Sequence, residues 1–189
     1  MTDPAPKDQY GSASIDPTGE VIAGSHGTWK FTCVVGPKGI ASQGAIRLDT
    51  ECDTDWGIPQ LGDPATAEYM TVAAPEDARV CVLVEGVKSV LLVVKGRALQ
   101  PGEHVVVTYG DRTGGGPGSM AQTFLEGRRY FRVAVDAMAD GVFHALEDQP
   151  YVTVVGGQAV DLVGVAPSTV VAGRPFRLLV RAVDRWGNP

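Results

Sequence analysis

The chain has 189 residues, 44% hydrophobic and 20% charged, with a formal net charge of -6. That length supports one large domain with a real core, and the composition is globular, not fibrous or disordered. The acidic balance argues against nucleic acid as a partner, because neutralising phosphates takes clustered Lys and Arg.

The longest purely apolar run, residues 90–94, is too short to span a bilayer, and the opening MTDPAPKDQYGS lacks the basic flank and apolar core of a signal peptide. A cytoplasmic chain with no membrane span is therefore expected. Cys33, Cys52 and Cys81 are widely spaced and never in a CxxC pair, which fits reduced thiols better than a disulfide framework or a zinc site. Cys33 and Cys81 lie in strand-like runs, where a thiol acts as a small buried hydrophobe, while Cys52 sits in a polar loop as the candidate exposed thiol.

Residues 1–17 hold three prolines and few apolar residues, the composition of a flexible lead-in. From Trp29, the side chains Trp29, Phe31, Cys33 and Val35 alternate with Lys30, Thr32 and Val34, the period of a strand with one buried face. Residues 45–48 predict a second short strand. The acidic loop that follows carries Asp49, Glu51, Asp53 and Asp55 at every second position. A calcium loop of the helix-loop-helix type needs flanking helices, a sixth-position glycine and a twelfth-position glutamate, so a solvated acidic loop accounts better for this spacing. Trp56 then either plugs the end of a sandwich or stacks on a ligand, and plugging is the better use of so large an apolar surface.

Strands are predicted over residues 69–73, 78–85, 87–95 and 103–109, with Val80, Val82 and Val84 on one face of the second. Gly86, Gly96 and the Pro101-Gly102 pair mark the turns. Turn signals every eight to twelve residues are the signature of a sandwich or barrel, and no stretch carries a helical period. Next comes YGDRTGGGPGSMAQTF, whose Gly114, Gly115, Gly116, Pro117 and Gly118 exclude a helix or strand interior. Asp111 and Arg112 at the entrance of this loop, and Gln122 and Thr123 at its exit, are the polar groups it offers to a ligand or to its own backbone. A phosphate loop would need a lysine and a following helix, and neither is present. Beyond it, residues 130–136 read as a single strand with Phe131, Val133 and Val135 inward, residues 142–146 return, and residues 151–155 close the domain. Gly156-Gly157 reads as a hinge, and Phe176, Leu178, Val180 and Ala182 form the inner face of a further strand.

No catalytic constellation stands out. Ser119 and Ser168 lack a nucleophile elbow, Glu147 and Asp148 sit in a polar turn, and His26, His104 and His144 are scattered without HxH or H-E-x-x-H spacing. The expectation is no metal, no cofactor and no catalytic residue. Weak ligand-binding candidates are Trp56, Gln60, Asp111, Arg112 and Gln122.

Two resemblances add to this reading. Ala166, Pro167, Ser168, Val170, Ala172, Gly173, Pro175 and Phe176, followed by Ala182, Val183, Asp184, Gly187, Asn188 and Pro189, resemble the opening strands of bacterial immunoglobulin-like repeats of the invasin and filamin type. GTWKFTCVVGPKGI, DWGIPQ, GDRTGGGPGSMAQTF and RRYFRVAVD, taken with that segment, resemble the N-terminal region of the bacterial family termed Domain of Unknown Function 3604. The family places β-sandwich modules ahead of a hydrolase domain similar to PHP-type metal-dependent phosphoesterases, and no residue of this chain matches that domain's metal ligands.

The expected fold is all-β: a lead-in over residues 1–17, an antiparallel β-sandwich over 18–155, and the first strands of an incomplete immunoglobulin-like domain over 156–189. The resemblance implies a noncatalytic accessory module, partnered by a downstream domain of the same polypeptide or by a second copy of the chain. The alternatives are a carbohydrate- or ligand-binding sandwich using Trp56 and the glycine loop, and a stand-alone hydrolase.

Overall fold

Runs that alternate apolar and polar residues place all their apolar side chains on one side of an extended backbone, and here they form strands throughout. The computed structural model describes residues 9–50, 53–86 and 88–189 and is all-β, with sixteen strands and no helix among those residues. None of the described chain is therefore a helix long and apolar enough to cross a membrane.

The strands in chain order are β1 (Gly11–Asp16), β2 (Glu20–Ile22), β3 (His26–Gly27), β4 (Trp29–Val35) and β5 (Ala45–Asp49). Then come β6 (Met70–Ala73), β7 (Val80–Glu85), β8 (Ser89–Val94), β9 (His104–Tyr109), β10 (Ser119–Met120) and β11 (Glu126–Tyr130). The last are β12 (Arg132–Asp136), β13 (His144–Ala145), β14 (Tyr151–Val155), β15 (Asp161–Val165) and β16 (Leu179–Val183).

Two larger antiparallel sheets, ordered β1-β4-β9-β6 and β13-β12-β5-β8-β7, supply most of the core. A third sheet, β11-β14-β2, joins β14 to β2 in parallel. Two small pairs, β3 with β10 and β15 with β16, complete the ladder. Phe31, Val105 and Val107 from one large sheet meet Ile46, Leu48, Leu92 and Val133 from the other in a single buried cluster. Its aromatic centre is a chain of edge contacts: Phe31 to Phe131 at 4.8 Å, Phe131 to Trp56 at 5.1 Å, and Trp56 to Trp29 at 4.7 Å. Edge-to-face rings add about 0.5–1.5 kcal/mol per pair beyond their area burial, so this chain fastens the Trp56 loop and the β11-β12 junction at Phe131 to β4.

Four expectations need correction. Residues 11–16 are not lead-in: β1 pairs along its whole length with β4, from Gly11 opposite Val35 to Asp16 opposite Lys30. Its alternation is built from small residues, with Ile15 buried and Ser12 and Ser14 exposed, and so carries little hydrophobic contrast. Residues 1–8 lie outside the described residues. The run over 130–136 is two strands, because the chain leaves one sheet at Tyr130 and enters another at Arg132. Phe131, Val133 and Val135 are buried as expected. Val80 and Val82 are only half-buried, since β7 is the outer strand of its sheet. The return over residues 142–146 shrinks to the two residues of β13, and Val142 is exposed.

Candidate functional site

The sequence-predicted polar residues are each absorbed by the fold. Trp56 is fully buried in the aromatic chain, so it plugs the core and no ring face is open for stacking. Gln60 closes its own loop: its Oε1 accepts from the Gly62 and Asp63 amides at 2.7 and 2.9 Å, and its Nε2 donates to Asp63 O and Thr66 Oγ1. Asp111 accepts from Thr71 Oγ1 at 2.6 Å and Thr113 N at 2.8 Å, and these bonds hold its carboxyl below the usual range. Arg112 donates from Nη2 to the His26 carbonyl at 2.8 Å. Gln122 is fully buried; its Oε1 accepts from Thr54 Oγ1 at 2.8 Å, and its Nε2 donates to Phe124 O and Glu126 Oε2. Trp56 and Gln122 share one polar seam through Thr54, whose Oγ1 also accepts from the Trp56 amide at 3.0 Å. Gln60, Asp111 and Arg112 lie outside that seam and are held by other partners.

The glycine loop packs tightly against its neighbours. A Cβ on Gly114 would stand 2.2 Å from Pro64 Cβ, and one on Gly116 would stand 2.5 Å from Thr66 O, so the loop lies against the segment that Gln60 organises. Glu68 joins the two: its carboxylate accepts from Ser119 Oγ and from the Met120 amide. Ser119 is fully buried in this contact and is no accessible nucleophile.

The acidic loop is also knitted inward. Asp55 accepts from the Thr123 amide at 2.9 Å and from its hydroxyl at 2.5 Å. Asp53 and Glu126 lie 3.6 and 3.7 Å from Nη1 of the buried Arg129, and Lys88 donates from Nζ to the Thr54 carbonyl. Glu51 and Cys52 lie outside the described residues. Among those described, no three His, Cys, Asp or Glu side chains converge as a metal site would require. His26 lies on β3, His104 is exposed on β9, and His144 stacks on Tyr10 at 4.2 Å. Cys33 is buried, and burial pushes its thiol up to about 12. Cys81 is half-buried.

The feature that sequence reasoning missed is an elbow at residues 183–188. Asp184 is buried and its carboxylate accepts four hydrogen bonds: from Gly157 N at 2.9 Å, Trp186 N at 2.8 Å, Asn188 N at 2.9 Å and Asn188 Nδ2 at 3.0 Å. Burial works against its charge, but these bonds outweigh that cost and hold the carboxyl well below the ordinary range. Asn188 reaches on to donate to the Thr123 carbonyl at 2.8 Å, and Val183 is buried. Gly156-Gly157 is thus no free hinge, because Gly157 is bonded to a residue 27 positions away. The sequence signals here were the resemblance of residues 182–189 to immunoglobulin-like repeats and, within it, the Asp-x-x-Gly-Asn order, which is the pattern of an Asx turn.

From this elbow the β15-β16 hairpin projects with both faces open. Ten large apolar side chains between Val160 and Val180 are each 42% to 68% exposed. A cleft of about 300 Å3 lies at its root, lined by Ile22, Gly24, Gly157, Val160 and Trp186 among others. No protein-family model matches the chain, and no curated protein is recognisably similar to it.

Proposed function

We propose that the chain is a noncatalytic accessory module of a larger protein, a β-sandwich that presents the β15-β16 hairpin to a second apolar sheet. The observation that carries this reading is the hairpin itself: ten exposed apolar side chains between Val160 and Val180, five of them on β15 and β16, with its root bonded to Gly157 through the Asp184 elbow. Two strands are marginal in water, and an apolar patch of this kind marks an interaction surface. The immunoglobulin-like character of residues 156–189 and the family resemblance point to a covering sheet in the same polypeptide, ahead of a metal-dependent hydrolase domain. Among the described residues no three His, Cys, Asp or Glu side chains gather as a metal site would require, and Ser119 is fully buried, which supports an accessory role over a stand-alone hydrolase.

Assays on this chain alone and on a polypeptide joining it to such a hydrolase domain test the proposal. The chain alone should leave aryl phosphates intact with manganese or zinc added. In the joined protein, Leu162→Glu with Leu179→Glu should lower the melting temperature and the hydrolytic rate together. Phosphoester hydrolysis by the chain alone, or a joined protein indifferent to both changes, would overturn it.

A further inference from the structure

β7 is the open end of the β13-β12-β5-β8-β7 sheet, and the bonding phase of β8 decides which of its backbone groups face outward. The Val94 amide donates to Gly44 O at 2.9 Å and Lys88 O accepts from the Thr50 amide at 3.2 Å, so positions 88 and 94 bond toward β5. The Lys95 amide donates to Arg79 O at 2.7 Å, on the other side. Residues of an antiparallel strand bond alternately to one neighbour and the other, and the β7-β8 register runs unbroken from Val80 opposite Val94 to Glu85 opposite Ser89. Cys81 and Leu83 therefore bond to β8, while the N-H and C=O groups of Val80, Val82 and Val84 point out of the sheet edge. Among the described residues no strand pairs with them there.

Edge strands are usually blunted by a proline, a bulge or an inward charge, and the sequence VCVLVE of β7 has no proline, no bulge and no charge before its last residue. Leu83 is 44% exposed, and Cys81 and the three valines are only half-buried. Charge stands at the two ends of one outer face, as the exposed Arg79 and Glu85, and neither makes an ion pair among the described residues. A second β7 laid antiparallel about a two-fold axis at Val82 sets Val82 opposite itself and Val80 opposite Val84, so every outward group of the three valines gains a partner. In that register Arg79 of each copy stands directly opposite Glu85 of the other, and Cys81 opposite Leu83, at the closer spacing of non-hydrogen-bonded pairs. Sliding one copy by two residues sets Arg79 against Leu83 or Glu85 against Cys81, and the charges no longer match.

We propose that β7 pairs antiparallel with β7 of a second copy of this chain, joining two five-stranded sheets into one across a two-fold axis. The edge is separate from the hairpin, and the pairing stands whether or not the accessory reading holds. A contact one strand wide makes a reversible dimer, not a permanent one. Sedimentation velocity of the whole chain from about 1 µM to about 1 mM, the range of weak specific contacts, should show one monomer-dimer equilibrium. Arg79→Glu and Glu85→Arg, both at exposed positions, each place like charges opposite at both ends of the pairing, and each should weaken the dimer by at least about tenfold. An equimolar mixture of the two variants should dimerise as the parent does, because the mixed pair has opposite charges at both ends. A chain that stays monomeric throughout, a dimer indifferent to both substitutions, a mixture that fails to pair, or a dimer lost instead in Leu162→Glu with Leu179→Glu would each overturn the proposal.

Discussion

Trp186 lies across Gly24 so closely that a Cβ at residue 24 would stand 2.3 Å from the indole Nε1. Gly24 also has a φ of +67°, a conformation that L side chains rarely adopt. The elbow and the first strands are therefore fitted to each other at a point where the sequence shows only one of its many glycines.

Gly24→Ala should push the indole off its seat while leaving the core rings in place. The expected result is a red shift and easier quenching of one tryptophan's fluorescence, since Trp29 and Trp56 are buried and Trp186 is half-exposed. The stability cost should be about 1–2 kcal/mol, from backbone strain and the lost contact.

Asp184→Ala removes the acceptor for four donors at once. Amide exchange at Gly157 and Asn188 should accelerate by at least about tenfold, with far smaller changes in β4 and β9.

The same carboxylate makes the elbow pH-sensitive. Its folded pKa is depressed, so the unfolded state binds its proton first as acid is added. Its stabilising effect is complete above the unfolded value of about 3.9 and fades as pH falls from there toward the lower folded value. Melting curves between pH 6 and pH 2 should show a drop that is smaller in Asp184→Asn than in the parent chain.

Phe131→Ala should cost about 3–5 kcal/mol, as expected for a buried aromatic whose loss leaves a cavity. Phe131 touches both Phe31 and Trp56 and sits where the chain changes sheets. Urea unfolding at unchanged m-value would measure the loss.

Cys33 should resist thiol reagents until the protein unfolds. With its thiol pushed up to about 12 by burial, Cys33 carries far less of the reactive thiolate than an exposed cysteine does at pH 8. The half-buried Cys81 should label well before it. Mass spectrometry of peptides after timed labelling would separate the two.

The alternation from Trp29 to Val35 was legible because its inward residues are all apolar, two of them aromatic, and the outward Lys30 and Thr32 are polar, and β4 follows that phase throughout. The same rule misread the junction at Phe131, where the pattern continues in phase from Tyr130 to Asp136 although the strand partners change. Period alone reports a face and says nothing of which sheet owns it. β11 escaped notice because its one buried side chain is Arg129, and an arginine does not announce an inward position. Among the candidate residues, Gln60 and Gln122 were identified as polar groups of interest. That both amides would be used up by their surroundings depends on contacts with distant segments, such as Thr54 to Gln122, which no local pattern encodes.

The parallel pairing of β2 with β14 places Glu20 beside Thr153 and Ile22 beside Val155. During synthesis at about 5–20 residues per second, the strand at residues 20–22 must wait on the order of ten seconds for its neighbour to be made. Until then its backbone and the unfinished core beneath it remain open to solvent or to a chaperone. The module therefore closes late, and a ribosome paused before residue 151 holds a chain whose third sheet cannot yet form.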